Sequence, residues 1–246
     1  MDVVGGVEAL RPEHGPVFAV IGVFDGLHRG HVYLLDNLVR EAATRQARST
    51  VITFDHHPDE VLTGSAPPLL LDPDERLDRL ADAGVEVTVV QHFDEAVRRT
   101  TYDDFIDTIR SGTGLAGLLM TPDSAFGFER RGTADAVSAL GAERGFEVVI
   151  IPAYELDGAP VSSSHIRTSI QRGDLAAAER MLGRPVGFRG TARDGTVSFD
   201  WPMAVPPSGS YRGRIDGRPG TVGVMDGTVR IDPDIDDGPV RVELLT

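Results

Sequence analysis

The stretch Val17–His31 decides the fold, and its sequence is VFAVIGVFDGLHRGH. Residues Val17 to Val23 form an apolar run typical of a buried strand, which breaks at glycines before a helical pattern begins. A strand-to-helix turn brings backbone amides and the positive end of a helix dipole to one place. His28 and His31 lie at that turn, so the stretch predicts a phosphate site and, as a first hypothesis, nucleotide phosphate chemistry.

The composition is that of a globular protein, with 246 residues of which 41% are hydrophobic. The formal charge of -14 argues against a nucleic-acid surface, because a groove that follows phosphates needs clustered basic residues. The first fifteen residues lack the basic start and apolar core of a signal peptide, and no apolar run is long enough to span a membrane. We therefore expect a cytoplasmic protein.

Two residue types are absent, and each absence excludes classes of chemistry. There is no cysteine, which excludes disulfides, thiolate metal sites and cysteine nucleophiles. All 24 basic residues are arginine. Without lysine the chain has neither a P-loop nor the amine that pyridoxal enzymes and Schiff-base aldolases require.

Apolar runs and helical patterns alternate along most of the chain. Strands are predicted at Val17–Val23, Thr50–Phe54, Val85–Val90, Leu115–Met120 and Phe146–Ile151. Helices are predicted at Gly30–Ala47, Asp74–Ala83, Asp103–Ile109, Thr133–Arg144 and Leu175–Leu182, with a further helix ending near Arg172. This alternation indicates a parallel sheet, in which ligands bind at the carboxyl ends of the strands.

The sequence pattern changes after Gly183-Arg184-Pro185: Gly and Pro recur there between short runs of alternating apolar and polar residues. Such runs predict a small antiparallel β module. The predicted strands are Gly195–Phe199, Gly209–Ile215, Thr221–Met225, Thr228–Ile231 and Val240–Leu244, and Asp232 to Gly238 is predicted as an acidic turn. The predicted domains are 1–184 and 185–246.

The run Ser162-Ser163-Ser164-His165-Ile166-Arg167 stands before a helical stretch. Hydroxyl groups at a helix start, with an arginine one turn later, could hold a polyphosphate. They could equally be an N-cap run followed by a surface arginine.

Four motifs together resemble one family, the HxGH nucleotidylyltransferases, and specifically the FMN adenylyltransferase module of bacterial bifunctional riboflavin kinase/FAD synthetases. The first is GVFDGLHRGH at residues 22–31. The second, TFDHHP at residues 53–58, is similar to the family's Thr-Phe-Glu-Pro-His-Pro. The others are DSAFG at 123–127, similar to Asp/Asn-Phe-x-Phe-Gly, and SSSHIR at 162–167, similar to Ser-Ser-Thr-x-Ile-Arg. The resemblance reaches from about Val17 to Pro185 and implies an α/β fold with a Rossmann-like sheet, followed by the small β module.

The resemblance implies transfer of AMP from ATP to the phosphate of FMN, giving FAD and pyrophosphate, with Mg²⁺ as a cofactor. It implies that His28 and His31 contact the ATP phosphates, and that Arg167 and the serines hold the β and γ phosphates from the other side. Imidazolium and guanidinium groups would then neutralise charge in the transition state. The further residues assigned to the ATP side are Gly22, Phe24, Asp25, Gly26, Ser162, Ser163 and Ser164.

The acceptor side is assigned through the second and third motifs, where the chain also departs from the family. The assigned residues are His57, Pro58, Asp123, Phe126 and Phe128. Ser124 stands where the family usually has an aromatic residue, and Asp55-His56 replaces Glu-Pro. FMN is the expected acceptor, and another phosphate-bearing acceptor is the alternative.

The C-terminal module resembles the start and end of the riboflavin-kinase barrel but is much shorter. The kinase motif Gly-x-Pro-Thr-Ala-Asn is absent, and residues 198–203, SFDWPM, stand in its approximate place. We expect no riboflavin kinase activity. The module is then a structural remnant or a surface for a protein partner or for self-association.

Two rival functions remain open from the sequence. Asp55-His56-His57 spells the DHH motif of metal phosphoesterases and could bind Mn²⁺ beside His28 and His31. The chain could also be a non-catalytic protein that binds flavin or nucleotide.

Overall fold

A computed structural model of the chain describes residues 1–231 and 235–246. Contacts within the fold divide it into two compact units. The sheet unit comprises Met1–Phe24, His31–Pro67 and Leu77–Ala153, and the barrel unit comprises Asp25–Gly30, Pro68–Arg76 and Tyr154–Thr246. This division has other bounds than the domains 1–184 and 185–246, which stay a prediction.

The sheet unit is built on a parallel sheet, as the alternation of the sequence predicted. Its strands are β1 (Asp2–Gly5), β2 (Val17–Ile21), β3 (Arg48–Phe54), β4 (Val87–Gln91), β5 (Leu115–Met120) and β6 (Glu147–Ile150). They lie in the order β1-β4-β3-β2-β5-β6, and every neighbouring pair is parallel. β2 is therefore an inner strand, and the loop that follows it leaves from the middle of the sheet.

Each predicted helix is present with its ends shifted by up to four residues, and two short helices, Pro58–Thr63 and Glu95–Arg99, were not predicted. They are α1 (Arg29–Thr44), α2 (Pro58–Thr63), α3 (Pro73–Asp82), α4 (Glu95–Arg99), α5 (Tyr102–Thr113), α6 (Ala134–Arg144), α7 (Ser163–Gln171) and α8 (Leu175–Leu182). In the sheet unit, apolar residues of α5 and α6 are buried in the same cluster as residues of β2, β4 and β5; members include Val17, Val89, Ile106, Leu118 and Val137. Burial of such side chains is the main contribution to stability, at roughly 1.5–3 kcal/mol for each large one.

The barrel unit contains a closed antiparallel barrel. Its strands are β7 (Val186–Arg193), β8 (Thr196–Ser198), β9 (Gly209–Ile215), β10 (Arg218–Met225), β11 (Thr228–Arg230) and β12 (Gly238–Leu244). The order is β7-β8-β11-β10-β9-β12, and β12 closes on β7. Closure pairs both edges of the sheet, and it confirms the predicted small antiparallel module.

The core of the barrel unit joins the barrel to α7 and α8. Ile166, Ile170 and Leu182 of the helices are buried in one cluster with Phe188 and Val242 of the strands. The apolar faces of the two helices are therefore covered by the β module that follows them.

Two expectations from the sequence concern membrane-spanning segments and the acidic turn near residue 235. Within the described residues, no helix is both long and apolar enough to cross a bilayer. The acidic turn predicted at Asp232 to Gly238 begins in residues 232–234, which lie outside those described.

Candidate functional site

In the sheet unit, the loop that follows β2 is held against β3 by two hydrogen bonds. Gly22 N donates to Ile52 O at 3.0 Å, and Thr53 Oγ1 donates to Val23 O at 3.0 Å. Thr53 is fully buried, so its hydroxyl has a backbone partner where water cannot reach it. The threonine of the second motif thus positions the backbone of the first.

The buried side chain of Phe24 packs against this loop. Its side chain is 1% exposed, and its ring centroid lies 5.0 Å from that of His31. The backbone of Phe24 has φ of +54°, a conformation that non-glycine residues rarely adopt and that the surrounding packing must stabilise. A Cβ on Gly22 would lie 3.1 Å from this ring, so glycine leaves room for the aromatic side chain. The two residues together fix one face of His31.

In the barrel unit, Asp25 is the centre of a buried network. The residue is 2% exposed, and its carboxylate accepts the backbone N–H of Leu70 at 2.9 Å and of Leu71 at 3.2 Å. Arg167, which is 8% exposed, donates from Nη2 to Asp25 Oδ2 at 2.8 Å and from Nε to Pro68 O at 2.7 Å. Burial raises the pKa of Asp25, while the guanidinium of Arg167 and the amide of Leu70 oppose that rise. The carboxylate organises the segment around residue 70 and fixes the guanidinium.

His28 is buried and neutral. It is 4% exposed, and burial together with the positive charge of Arg184 lowers its pKa to about 4. The imidazolium expected at this position is therefore wrong, because removal from water disfavours the charged ring. A neutral imidazole still donates one N–H, so a phosphate oxygen remains a suitable partner.

Gly30 leaves room for the ring of His28. A Cβ at position 30 would lie 3.1 Å from Nδ1 of His28 and 3.4 Å from Val161 O. The glycine between the two histidines therefore lets the start of α1 approach the His28 side chain.

Arg184 holds the turn at Gly26 and Leu27, and the sequence analysis did not select it. It donates from Nη2 to Gly26 O at 2.6 Å and from Nη1 to Leu27 O at 3.1 Å. Gly26 has φ of +81°, and a Cβ there would lie 2.9 Å from Leu70 Cδ1, so the turn depends on glycine. In the sequence, Arg184 stood out only as part of the Gly-Arg-Pro boundary.

The three serines before and within α7 have different surroundings. Ser162 is the N-cap, and its Oγ accepts His165 N at 3.3 Å. Ser163 Oγ donates to Asp25 O at 2.9 Å. Ser164 is exposed in the first turn of the helix. Two hydroxyls therefore support the fold of the barrel unit, while the third faces solvent beside the helix amides.

The third motif lines a cavity in the sheet unit, beyond the carboxyl ends of β2 and β5. The cavity has a volume of about 180 Å³, and its lining includes Asp123, Ser124 and Arg130 as polar residues and Phe126 as an aromatic one. This volume fits part of a ligand, since drug-sized ligands occupy roughly 300 Å³ or more. Arg130 is a second residue that the sequence analysis did not select.

The aromatic residues of this motif are partly structural. The ring centroid of Phe126 lies 6.1 Å from that of Phe105, which belongs to the buried cluster of the sheet unit. Phe128 is half-buried and begins a short 3-10 helix, with its N–H donated to Thr100 O at 2.8 Å. Ser124 Oγ accepts Thr121 N at 3.0 Å and so closes its own turn.

The second motif ends in a helix cap. His57 is the N-cap of α2, its Nδ1 accepts Asp59 N at 3.2 Å, and Pro58 is the first helical residue. His57 therefore serves its own helix. Within the described residues, the metal-type cluster at this strand end consists of Asp55, His56 and His92, and His57 is not a member.

Comparisons with known proteins place these features in a family. A family model described as FAD synthetase matches residues 10–165. A bifunctional riboflavin kinase/FMN adenylyltransferase of Pseudomonas fluorescens is 34% identical over 196 residues, which are 79% of this chain and 63% of that relative. The enzyme of the same description from Escherichia coli K12 is 32% identical over 194 residues, which are 77% of this chain and 62% of that relative. The chain thus spans less than two thirds of the length of these relatives.

A solved structure shares the fold over nearly the whole chain. It is titled a macrolide-efflux protein from Streptococcus pneumoniae, and it superposes with a TM-score of 0.84 over 99% of this chain and 89% of its own. The two sequences are 23% identical, so the likeness concerns the fold alone.

Proposed function

The chain belongs to the FAD synthetase family, and on that premise we propose that it is an FMN adenylyltransferase. It transfers AMP from ATP to the phosphate of FMN and releases pyrophosphate. The observation that carries the proposal is the match of the family model over residues 10–165, which include the loops after β2, β3 and β5.

The reaction depends more on alignment of the two substrates and on stabilisation of charge in the transition state than on a general base. An oxygen of the FMN phosphate, already ionised at neutral pH, attacks the α-phosphorus of ATP, and the bond from that phosphorus to the β-phosphate oxygen breaks. Pyrophosphate carries away the electron pair, so no proton has to be removed from the nucleophile. The protein has to hold two anions in line and to donate hydrogen bonds to the developing charge.

The residues of the first and fourth motifs supply such donors. We assign His28, His31 and the exposed Ser164 to the ATP phosphates, together with the backbone amides at the start of α7 that flank Ser164. Gly22 and Gly26 give the backbone its close approach to the nucleotide. We assign Arg167 to the β and γ phosphates as well, and its bonds from Nη2 to Asp25 and from Nε to Pro68 O fix the orientation of the guanidinium.

The acceptor side is assigned to the second and third motifs. Asp123 and Phe126 line the cavity of the sheet unit, and Phe128 follows directly after the third motif. His57 and Pro58 begin α2 after β3, at the carboxyl-end side where parallel sheets bind their ligands. Of these, Asp123 and Phe126 are the residues that face a volume suited to part of the flavin.

Mg²⁺ fits this site as a component of the substrate MgATP. The carboxylate nearest to His28 in sequence, Asp25, already accepts two amides and a guanidinium. The other groups assigned to ATP are imidazoles, serine hydroxyls and backbone N–H groups, and none of them is the carboxylate through which proteins usually bind Mg²⁺ beside substrate phosphates. No step of the reaction is therefore assigned to a protein-bound magnesium ion.

Incubation of the purified chain with MgATP and FMN tests the activity. FAD and pyrophosphate in equal amounts are expected, and His28→Gln and His31→Ala should each lower kcat by roughly 10² if each residue donates a hydrogen bond in the transition state. His14→Ala is the matched control, because His14 caps a short helix near the N-terminus and should keep the wild-type rate.

The other outcomes of this experiment identify the rivals. Release of phosphate in the absence of FMN would support a phosphohydrolase, and tight flavin or nucleotide binding without turnover would support a non-catalytic binder. Transfer of label from ATP to a different phosphate compound would replace FMN as the acceptor.

We also propose that the chain lacks riboflavin kinase activity. The barrel is complete as a closed sheet, yet the segment at the approximate place of the kinase motif reads SFDWPM, residues 198–203, and lacks its Thr and Asn. Riboflavin with MgATP should give no FMN, whereas FMN in the same assay is converted to FAD. Formation of FMN from riboflavin would contradict this proposal. A protein partner or self-association through the barrel stays a prediction.

A further inference from the structure

The carboxyl ends of β3 and β4 bring three metal-binding side chains together in the sheet unit. β3 and β4 end at Phe54 and Gln91, which pair with each other in the last position of the register. Asp55 follows directly after β3, and His92 follows directly after β4. Ligand atoms of Asp55, His56 and His92 all lie within 4.8 Å of one another. The register of a rigid parallel sheet therefore sets the position of this cluster.

The carboxylate is at the centre of the cluster. His92 Nδ1 lies 2.6 Å from Asp55 Oδ2, and His56 Nδ1 lies 3.2 Å from Asp55 Oδ1. The centroids of the two imidazole rings are 6.0 Å apart, and the rings are nearly perpendicular. Ligand atoms around a tetrahedral zinc ion are separated by roughly 3.3 Å, so His92 has to move by roughly 1 Å. Its side chain is 66% exposed and has the room to do so.

Backbone groups fix the orientation of Asp55. Its Oδ1 accepts His56 N at 2.7 Å and Phe93 N at 3.3 Å, and its own N–H is donated to Gln91 O at 3.1 Å. Hydrogen bonds of this kind orient ligands in metal sites and strengthen binding. The carboxylate is therefore preorganised, and the exposed histidine is the adjustable ligand.

We propose that Asp55, His56 and His92 bind a divalent transition-metal ion of the zinc class. Two imidazoles and one carboxylate suit Zn²⁺ with an open fourth position, whereas Mg²⁺ and Ca²⁺ prefer oxygen ligands alone. Asp55-His56 stands where the family motif has Glu-Pro, so two of the three ligands belong to this chain's own sequence and not to the family pattern.

Zinc titration of the untagged, metal-free full chain tests the site. Zn²⁺ is added in competition with a chromophoric chelator at about pH 8, where imidazole is neutral, and with Mg²⁺ in excess. One ion per chain is expected to bind despite the Mg²⁺. His92→Ala and Asp55→Asn should each weaken binding by roughly 10-fold or more, and His14→Ala should leave it unchanged. In the wild type, Co²⁺ should give the visible absorption of a tetrahedral site, and this band should vanish in His92→Ala.

His92→Ala is the decisive variant because the side chain is mostly exposed and its loss should leave the fold intact, as circular dichroism can verify. Zinc binding that is absent in the wild type, or that survives both the His92 and the Asp55 substitution, would overturn the proposal. FAD formation is measured separately without added zinc, so failure of the metal site and failure of the transferase activity are distinguishable.

Discussion

His28 should make the folded chain less stable as the pH falls. Its pKa is about 4 in the folded chain and near 6.5 in an unfolded one. Between these values the unfolded state binds more protons, so the free energy of unfolding falls as the pH drops from about 6.5 to about 4. We expect a full effect of about 3 kcal/mol, and urea unfolding at several pH values across this range would measure it.

The variant His28→Gln isolates this contribution. It cannot titrate, so the difference in unfolding free energy between wild type and variant should shrink steadily below about pH 6.5. Asp25 titrates in both proteins, and its raised pKa acts in the opposite direction, so only the difference is diagnostic. A difference that stays constant with pH would mean that His28 is protonated as readily in the folded as in the unfolded chain.

Asp25 is expected to be the most costly single position of the first motif. Asp25→Asn removes the charge that compensates the buried guanidinium of Arg167, and breaking a buried pair costs about 3–5 kcal/mol of unfolding free energy. Glu95→Gln is the matched control, because Glu95 Oε1 also lies 2.8 Å from an arginine, Arg99, but at the surface. That change should have little effect on the free energy of unfolding, because exposed ion pairs are screened by water and contribute little to stability. Equal losses in the two variants would show that Asp25 and Arg167 are not a buried pair.

At the start of α7, Ser162 and Ser164 should separate structural from catalytic effects. Ser162→Ala removes the N-cap bond to His165 N and should cost about 1 kcal/mol in unfolding free energy. Ser164→Ala changes an exposed hydroxyl, so stability should stay the same. If Ser164 binds an ATP phosphate, kcat/KM for ATP should fall roughly 10-fold, as for a hydrogen bond to a charged group. Equal effects of both variants on stability and on activity would contradict this division.

The elements that the sequence predicted well are those whose apolar periodicity is local. β2, β5 and α8 are confirmed within two residues because their pattern is complete in the segment itself. β1 escaped prediction, since its four residues DVVG have one buried side chain and gain their strand identity from pairing with β4. β7, with sequence VGFRGTAR, escaped because Gly190 stands at an inward position of the alternation and leaves only Val186, Phe188 and Ala192 as buried side chains. In both cases the partner strand supplies the missing information.

The candidate site shows the same limit. Motif spacing selected His28 and Asp25, but their state depends on burial and on residues far along the chain. Arg184 acts on the turn at Gly26 across 158 positions, and no local pattern marks it. The neutral form of His28 likewise follows from burial and from this arginine, so a sequence that suggests an imidazolium folds into a site with a neutral donor.

At the scale of the whole molecule, the two contact units interleave along the chain. The barrel unit includes residues 25–30 and 68–76 as well as 154–246, so three separate segments contribute to it. Its core contains Leu70, the apolar faces of α7 and α8, and the barrel interior. A domain that ends at residue 184 would separate Ile166, Ile170 and Leu182 from Phe188 and Val242.

A chain that ends at Arg184 is therefore expected to expose the apolar faces of α7 and α8. It should bind a hydrophobic dye such as ANS and be cleaved by protease between residues 163 and 182, because the side chains that cover these helices are gone. A chain that ends at Leu244 is the matched control: it loses the C-terminal end but keeps the core residue Leu244, and it should behave as the full chain does. The opposite outcome would be a chain ending at Arg184 that unfolds cooperatively, resists protease and does not increase the fluorescence of the dye. In that case residues 1–184 form a domain on their own and the barrel is an addition to it.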